Sequence, residues 1–199
     1  MKRKDAIETI MRTIGSRDLV VSTTGLISRE IFEKFHSERN LYIPGSMGLV
    51  SSIGLGLAIA CPTMKVAIID GDASLLMNLG SIVTIGNIKP NNLLHLIIDN
   101  EAYGSCNEEK SMSDSAHLNI LAKSVGYQYV RKVDTRYKLR HAILSFTKGP
   151  GFILTKVELG GRRDFLRPLK LIDVKIKFMR FVEQQKQRKK YDIPRKTHI

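Results

Sequence analysis

Short apolar runs alternate with longer amphipathic segments along most of this chain. The runs, rich in Val, Ile and Leu, have the length and composition of buried strands. The segments in which apolar residues recur every three or four positions have the period of helices packed on one face. The runs predict strands at residues 19–22, 65–70, 93–98, 127–130 and 151–157. The periodic segments predict helices at residues 5–14, 26–35, 49–60, 73–88, 117–125, 136–147 and 172–187.

The alternation of strand and helix predicts an α/β fold, a parallel sheet with helices on both faces. Parallel strands need a crossover connection, which the intervening helices supply. Ligands of such sheets bind outside the carboxyl ends of the strands. The polar stretch at residues 101–115 is long for a connection inside this kind of domain. Connections of that length are often functional, so we expect it to contribute to a site.

The length of 199 residues fits one ordinary domain with a tail. We predict a domain over residues 1–170, followed by a C-terminal helix and basic tail over residues 171–199. No apolar run reaches the length needed to span a bilayer, and the basic start leads into an amphipathic pattern instead of a signal peptide. Two isolated cysteines, Cys61 and Cys106, fit a reducing compartment. We therefore expect a cytoplasmic protein with no membrane partner.

The formal net charge is +13, and much of it lies near the C-terminus. From Lys175 onward, nine Lys or Arg stand against two acids, Glu183 and Asp192, for a net +7. Such a cluster raises the question of nucleic-acid binding. We favour a solvated basic helix end, which an acidic partner could face, because the sequence carries no zinc spacing, aromatic-rich sheet signature or recognition-helix motif.

Two polar motifs follow two of the predicted strands. Gly-Asp-Ala-Ser at residues 71–74 ends one apolar run, and Asp-Asn at residues 99–100 ends the next. One crossover separates them, so Asp72 and Asn100 should meet at the same sheet edge. Carboxylate and amide oxygens together with phosphate oxygens suit Mg²⁺. The alternative is that both motifs are ordinary turns.

Two further loops carry candidate ligand groups. At residues 45–48 the sequence Gly-Ser-Met-Gly places a large flexible side chain, Met47, between glycines that allow close approach. The alternative is a turn in which Met47 fills core space. Thr23 and Thr24 stand before a predicted helix, where hydroxyls and amides form an anion site. They could instead cap that helix, and a cap position can also serve a phosphate.

Together these segments resemble the thiamine diphosphate-dependent decarboxylases. The resemblance lies in a Gly-Asp-Gly … Asn-Asn metal motif, with Ala73 replacing the second glycine and Asp99 the first asparagine. It implies the cofactors thiamine diphosphate and Mg²⁺ and a thiamine diphosphate-binding fold. The implied metal ligands are Asp72, Asn100 and the Ala102 carbonyl. The implied cofactor-binding residues are Thr24, Gly25, Gly45, Ser46, Met47, Gly71, Asp72, Ala73, Ser74, Asn100, Ala102 and Tyr103.

The resemblance also implies a role for several of these residues. Thr24, Gly25 and Ser74 would touch the diphosphate. Main-chain groups of Gly45 and Met47 would contact the pyrimidine. The Met47 side chain would wedge beneath the cofactor and hold its bent form.

A narrower resemblance is to the sulfopyruvate and phosphonopyruvate decarboxylases. It covers roughly residues 19–182 and includes Asn-Glu-Ala-Tyr-Gly-Ser at residues 100–105 and Leu-Arg-Pro at residues 166–168. It implies a β-type subunit that helps convert sulfopyruvate to sulfoacetaldehyde and CO₂. One alternative is phosphonopyruvate or another 2-oxo acid as substrate. An alternative of another class is a non-catalytic regulatory or nucleic-acid-binding relative.

Thiamine diphosphate enzymes use a second domain type that supplies an activating glutamate, and this chain has room for only the first type. The resemblance therefore implies a pyrimidine-binding α-type partner subunit, with no catalytic residue assigned to this chain. The sulfonate or phosphonate of a substrate needs cationic or amide donors. Arg162, Arg163 and Arg167 are candidates, although most exposed arginines are only solvated.

One segment departs from the pattern. Relatives usually carry a Thr-Gly-x-Gln-like stretch where residues 106–110 read Cys-Asn-Glu-Glu-Lys. Two acids beside a diphosphate and an anionic substrate are unfavourable if they point inward, and harmless if they face solvent. This segment leaves the substrate, and activity itself, open.

Overall fold

The chain forms one six-stranded parallel sheet with helices on both faces. The structure is a computed structural model that describes residues 1–168 and 170–191, except for the side chains of residues 189–191. The strand order is β2-β1-β3-β4-β8-β7, and a separate hairpin pairs β5 with β6. The strands are β1 Leu19–Ser22, β2 Asn40–Tyr42, β3 Val66–Gly71, β4 Leu93–Asp99, β5 Ala102–Tyr103, β6 Glu109–Lys110, β7 Tyr129–Val133 and β8 Gly151–Lys156. The helices are α1 Arg3–Thr13, α2 Leu26–Phe35, α3 Val50–Ala60, α4 Asp72–Leu76, α5 Gly80–Ile88, α6 Ser113–Ala116, α7 Leu118–Ser124, α8 Arg136–Leu144 and α9 Leu171–Tyr191. The predicted α/β architecture is confirmed.

Two apolar cores lie on opposite faces of the sheet. One joins the strands to α3, α5, α7 and α9, and the other joins them to α1, α2 and α8. Central strands such as β3 are buried on both faces, which explains why their sequences are continuous apolar runs without alternation.

Strand register brings the chemistry of two strands to one edge. β3 and β4 pair in parallel from Val66 opposite Leu93 to Gly71 opposite Ile98. Asp72 and Asp99 each follow one residue later, so both leave the sheet at its carboxyl edge. The crossover predicted from the sequence therefore has the expected geometry.

The single helix predicted over residues 73–88 is wrong, because the structure breaks it into α4 and α5. The break is held by Asn78, whose side-chain amide donates to Gly48 O at 3.0 Å, while its own carbonyl accepts from Ser81 Oγ at 2.8 Å. A contact with a loop thirty residues earlier thus overrides the local helical period.

Several other parts of the chain differ from the sequence prediction, and helix ends such as that of α8, at Leu144 instead of residue 147, shift by a few residues. β7 covers 129–133 and not 127–130, because the Tyr127 side chain turns into the core and its hydroxyl meets His95 Nδ1 at 3.2 Å. The short strand β2 was not predicted. The long polar connection contains the β5–β6 hairpin and α6.

The C-terminal helix α9 packs along the β2 edge of the sheet. Phe178 and Val182 enter one core, and Val174 enters the other. The division at residue 170 stays a prediction, and residues 192–199 of the predicted tail lie outside the described residues. Across the described chain, no helix is both long and apolar enough to cross a bilayer.

Candidate cofactor and metal site

A cleft opens at the carboxyl edge of the sheet. It lies where β1 and β3 are neighbours but their connections run to opposite sides, which is the usual ligand position in an open α/β sheet. Nine of the predicted cofactor residues line it: Thr24, Met47, Gly71, Asp72, Ala73, Ser74, Asn100, Ala102 and Tyr103. Gly25, Gly45 and Ser46 were predicted with them but are not in its wall.

The three predicted metal ligands converge at the floor of this cleft. As placed, Asn100 Oδ1 lies 3.2 Å from Asp72 Oδ1 and 2.9 Å from the carbonyl oxygen of Ala102. Three acceptor oxygens this close repel one another unless a positive group lies among them. Exchanging the amide nitrogen and oxygen of Asn100 gives two hydrogen bonds, and a cation held by all three oxygens gives the same relief.

The two separations from the Asn100 side chain, 3.2 and 2.9 Å, are compatible with Mg²⁺ ligands and equally with the hydrogen bonds of the exchanged amide. Mg²⁺ binds oxygen at about 2.0–2.1 Å in an octahedron, so adjacent ligand oxygens stand about 2.9 Å apart. The donor set of one carboxylate, one amide and one carbonyl is also of the hard type that Mg²⁺ prefers. Among the described residues, the cleft included, no group of three or more His, Cys, Asp or Glu side chains is arranged to hold a metal, so a cation here would depend on the amide and carbonyl oxygens beside the one carboxylate.

The Asp72 carboxylate is almost completely buried, at 1% exposure. Burial, and to a smaller extent the nearby charge of Asp99, raise its pKa, which is about 6 when all contributions are included. A hydrogen bond from Ser111 Oγ at 2.5 Å and backbone N–H groups of Ala73 and Asn100 act in the opposite direction. A bound cation favours the ionised form, which is the form that can ligate.

Hydrogen bonds from threonine and serine hydroxyls link the loops that surround the cleft. Thr23 Oγ1 and Ser74 Oγ lie 2.8 Å apart, and Ser74 Oγ accepts the N–H of Gly48 at 3.1 Å. Thr24 Oγ1 donates to Pro44 O at 3.2 Å. Neither threonine caps α2, because the cap position is Gly25 and it makes no side-chain bond. The helix-cap alternative for Thr23 and Thr24 is therefore wrong.

Met47 stands on the cleft wall, half-buried, and belongs to neither apolar core. The residues beside it, Ser46 and Gly48, have φ of 51° and 95°. A Cβ at Gly48 would lie 3.2 Å from Ser74 O, so the loop passes against α4 too closely for most side chains. The alternative in which Met47 fills the core is therefore wrong.

Lys156 is a site residue that the sequence reasoning missed. It ends β8, and its Nζ donates to Asp99 Oδ2 at 2.9 Å and to Glu101 Oε1. Burial alone would lower the pKa of Lys156, but these hydrogen bonds and charges raise it above its usual value. The lysine thus neutralises the aspartate that stands where the family pattern has asparagine. A lysine within the otherwise apolar run predicted as a strand at residues 151–157 was the available signal.

Two buried serines, Ser111 and Ser113, were also missed. Ser111 bonds Asp72, and Ser113 Oγ donates to Asp99 Oδ1 at 2.8 Å. Nothing in the local sequence distinguishes them from the other serines of a polar loop.

The predicted arginines lie away from the cleft wall. Arg162 pairs with Glu33 and with Asp164 at 2.7 Å, Arg163 lies 4.0 Å from Glu108, and Arg167 is exposed. The arginine that does line the cleft is Arg3, which is nine-tenths buried and pairs with Glu30 at 3.1 Å.

The segment that departs from the family pattern lies on the hairpin. Cys106 lines the cleft, whereas Glu108 is half-buried beside Arg163 and Glu109 is exposed on β6. Neither acid is part of the cleft wall, so the electrostatic objection to an anionic cofactor does not arise.

A family model described as "Thiamine pyrophosphate enzyme, C-terminal TPP binding domain" matches residues 25–157. The chain belongs to the thiamine pyrophosphate enzyme family. Thiamine pyrophosphate and thiamine diphosphate are the same compound, so the predicted family is confirmed. The match contains both halves of the metal motif and the Met47 loop.

Curated relatives agree with this membership. The sulfopyruvate decarboxylase subunit beta of Methanocaldococcus jannaschii is 48% identical over 126 residues, which cover 63% of this chain and 66% of that protein. The subunit of the same name from Methanococcus maripaludis is 40% identical over 143 residues, covering 72% and 76%. The phosphonopyruvate decarboxylase of Streptomyces viridochromogenes is 33% identical over 165 residues, covering 82% and 41%. The chain thus spans just under two thirds of the first of these relatives and about two fifths of the last.

Solved structures of thiamine pyrophosphate enzymes share the fold. A 2-oxoglutarate:ferredoxin oxidoreductase from Magnetococcus marinus superposes with a TM-score of 0.63 at 15% identity, over 89% of this chain and 65% of that one. A benzoylformate decarboxylase from Polynucleobacter necessarius gives 0.63 at 16% identity, over 83% and 34%. At these identities the likeness concerns the fold alone.

Proposed function

We propose that this chain is the β-type subunit of a thiamine diphosphate-dependent 2-oxo acid decarboxylase, with sulfopyruvate as substrate. The observation that carries the proposal is the convergence of Asp72, Asn100 and the Ala102 carbonyl at the floor of a cleft that Met47 also lines. The names of the relatives at 40–48% identity support sulfopyruvate over phosphonopyruvate.

Within this proposal, Asp72, Asn100 and the Ala102 carbonyl hold Mg²⁺. Thr24 and Ser74, which line the cleft, bind the diphosphate, and the Met47 main chain binds the pyrimidine. The same roles for Gly25 and Gly45, which are not in the cleft wall, stay predictions from the sequence. When bound, the cofactor supplies the electron sink that accepts the electron pair left by departing CO₂. The chain's own residues orient the cofactor, compensate charge and exclude water.

The activating glutamate is assigned to a pyrimidine-binding α-type partner. Glu158 does line the cleft, but it is 62% exposed and its carboxylate pairs with the N-terminal ammonium of Met1 at 3.4 Å. A carboxylate in water beside an ammonium is poorly placed to bond a buried pyrimidine ring. The naming of several relatives as subunit beta supports a partner chain.

The substrate anion needs a cation near the cleft, and Arg3 is available there. Its charge is shared with Glu30, which also pairs with Lys34 at 2.9 Å. The cluster of two cations and one carboxylate is net positive, which favours an anionic substrate. A cytoplasmic location stays a prediction from the two unpaired cysteines, Cys61 and Cys106.

The test uses the full chain, alone and mixed with the candidate α-type subunit. We expect CO₂ release from sulfopyruvate only in the mixture, and only with thiamine diphosphate and Mg²⁺ present. Release of CO₂ from phosphonopyruvate or another 2-oxo acid, and not from sulfopyruvate, would assign that compound as the substrate instead. Salt-sensitive binding of DNA or RNA without turnover would replace the proposal with the non-catalytic alternative.

Asp72→Asn tests the metal assignment within the same proposal. We expect this variant to lose Mg²⁺-dependent thiamine diphosphate binding, measured by calorimetry. The matched control is Asp134→Asn, which changes an aspartate that is 61% exposed and bonded to Lys138. Unchanged cofactor affinity in Asp72→Asn would show that Asp72 does not hold the ion.

A further inference from the structure

Ser111 directly follows β6 and is completely buried. Its N–H donates to Glu101 O at 2.8 Å, and its Oγ donates to Asp72 Oδ2 at 2.5 Å. The main chain of this serine is therefore fixed by the connection between β4 and β5, and its side chain by the first residue of α4. Thirty-nine positions separate Ser111 from Asp72 in the sequence.

The hydrogen bond from Ser111 occupies one oxygen of the Asp72 carboxylate, which also accepts from the backbone N–H groups of Ala73 and Asn100. Oδ2 is occupied by the hydroxyl, while Oδ1 faces the side-chain amide of Asn100. Rotation of the carboxylate would break the bond to Ser111 and turn the remaining oxygen away from Asn100. We propose that Ser111 is a positioning residue that orients Asp72 for Mg²⁺, an inference that rests on the proposed function.

Ser113 makes a similar hydrogen bond to the aspartate at the end of β4. Its Oγ donates to Asp99 Oδ1 at 2.8 Å, and it lies 3.2 Å from Ser111 Oγ. Each hydroxyl has one hydrogen, and the two carboxylates take both, so no hydrogen lies between the serines. The opposite oxygen of Asp99 is held by Lys156 at 2.9 Å.

The segment 111–113 thus contacts Asp72 at the start of α4 and the two residues that flank Asn100, which are Asp99 and Glu101. Residues that hold a metal ligand in place typically change metal affinity by 10- to 100-fold when removed. We expect a loss in that range when Ser111 loses its hydroxyl.

The experiment uses Mn²⁺ as a spectroscopic probe on the full chain. Electron paramagnetic resonance measures free Mn²⁺ in the presence of thiamine diphosphate, and Mg²⁺ and Ca²⁺ are then titrated as competitors. Ser111→Ala should weaken Mg²⁺ binding by about 10- to 100-fold. Ser115→Ala, which removes an exposed hydroxyl bonded to Met112 O, is the matched control and should not change it.

Cation preference separates positioning from plain structural damage. Mg²⁺ demands a near-ideal octahedron, whereas Ca²⁺ tolerates irregular coordination. A misoriented carboxylate therefore weakens Mg²⁺ binding more than Ca²⁺ binding, and the ratio of their affinities should fall in Ser111→Ala. Partial unfolding would weaken both alike and would lower the unfolding midpoint in metal-free buffer.

Three results would overturn the inference. One is Mg²⁺ affinity in Ser111→Ala equal to that of Ser115→Ala. Another is an equal loss for both cations with a lowered unfolding midpoint. In either case the wild-type chain still binds Mn²⁺ with thiamine diphosphate, so the proposed function survives. Absence of that binding in the wild-type chain would remove the proposed function and this inference together.

Discussion

Burial gives the Asp72 carboxylate a different proton affinity in the folded chain than in the unfolded one. Its pKa rises from 3.8 to about 6 on folding, first because of desolvation and then because of the charge on Asp99. The folded state therefore binds a proton more tightly than the unfolded state between these values. It follows that stability from this group is highest at low pH and falls as pH rises through the folded pKa.

A single isosteric substitution, Asp72→Asn, tests how much folding stability is lost when the buried carboxyl group ionises. In metal-free buffer, Asp72→Asn should gain stability relative to wild type as pH rises from 4 to 7, by about 3 kcal/mol at most, and should gain no more above that range. Urea unfolding at several pH values measures the difference. Parallel stability curves for the two proteins between pH 4 and 7 would contradict the burial argument.

Single residues of the site differ in how far sequence could predict them. Asp72 and Asn100 follow apolar strands one crossover apart, and the rule for parallel sheets brings such positions together. Lys156 and Ser111 enter the site through contacts with residues 57 and 39 positions away. No local pattern encodes such distances, because they depend on strand order and on the path of the hairpin.

At the scale of elements, the two glycines of α3 show how one helix serves two neighbours. A Cβ at Gly54 would lie 2.3 Å from Cγ1 of Ile68, a completely buried side chain of β3. A Cβ at Gly56 would meet nothing within 4 Å. The first glycine permits close packing of helix on sheet, and the second only weakens the helix.

Alanine substitutions at these positions should have opposite effects. Gly56→Ala should stabilise the chain by about 0.5–1 kcal/mol through helix propensity, and Gly54→Ala should destabilise it by about 1–3 kcal/mol through overpacking. Chemical denaturation of both variants measures the pair. Equal shifts in the same direction would show that the contact with Ile68 relaxes at little cost.

Elements with strong periodicity were predicted well, and elements defined by distant contacts were not. β1 and α2 were predicted with the bounds that the structure shows, since each has an unambiguous apolar pattern. The break between α4 and α5 depends on Asn78 reaching the Gly48 loop, and β2 has only three residues. Short strands and tertiary contacts of this kind leave little periodic signal.

At the scale of the whole molecule, the C-terminal helix α9 packs against elements from earlier in the chain. It packs along β2, which is an edge strand with no further neighbour in the described sheet. Unpaired strand edges are sites of unwanted pairing, and a covering helix prevents it. Seven of the nine basic residues that raised the nucleic-acid question thus share a helix with apolar residues of both cores.

Phe178 tests how much α9 contributes to the whole fold. This side chain is 1% exposed, whereas its neighbour Met179 is 52% exposed. Phe178→Ala should destabilise the chain by about 3–5 kcal/mol, and Met179→Ala should have an effect within about 0.5 kcal/mol. Guanidinium unfolding compares them. A small effect of Phe178→Ala would mean that α9 is dispensable for the fold.

The base and the tip of the β5–β6 hairpin have separate tasks. The base supplies a backbone carbonyl from Ala102, which any amino acid could provide, and the exposed tip carries Cys106 into the mouth of the cleft. Residues of the tip can therefore change during evolution without altering the Ala102 carbonyl at the base. Such changes could alter the substrate, and a combinatorial library limited to residues 105–108 would test this directly.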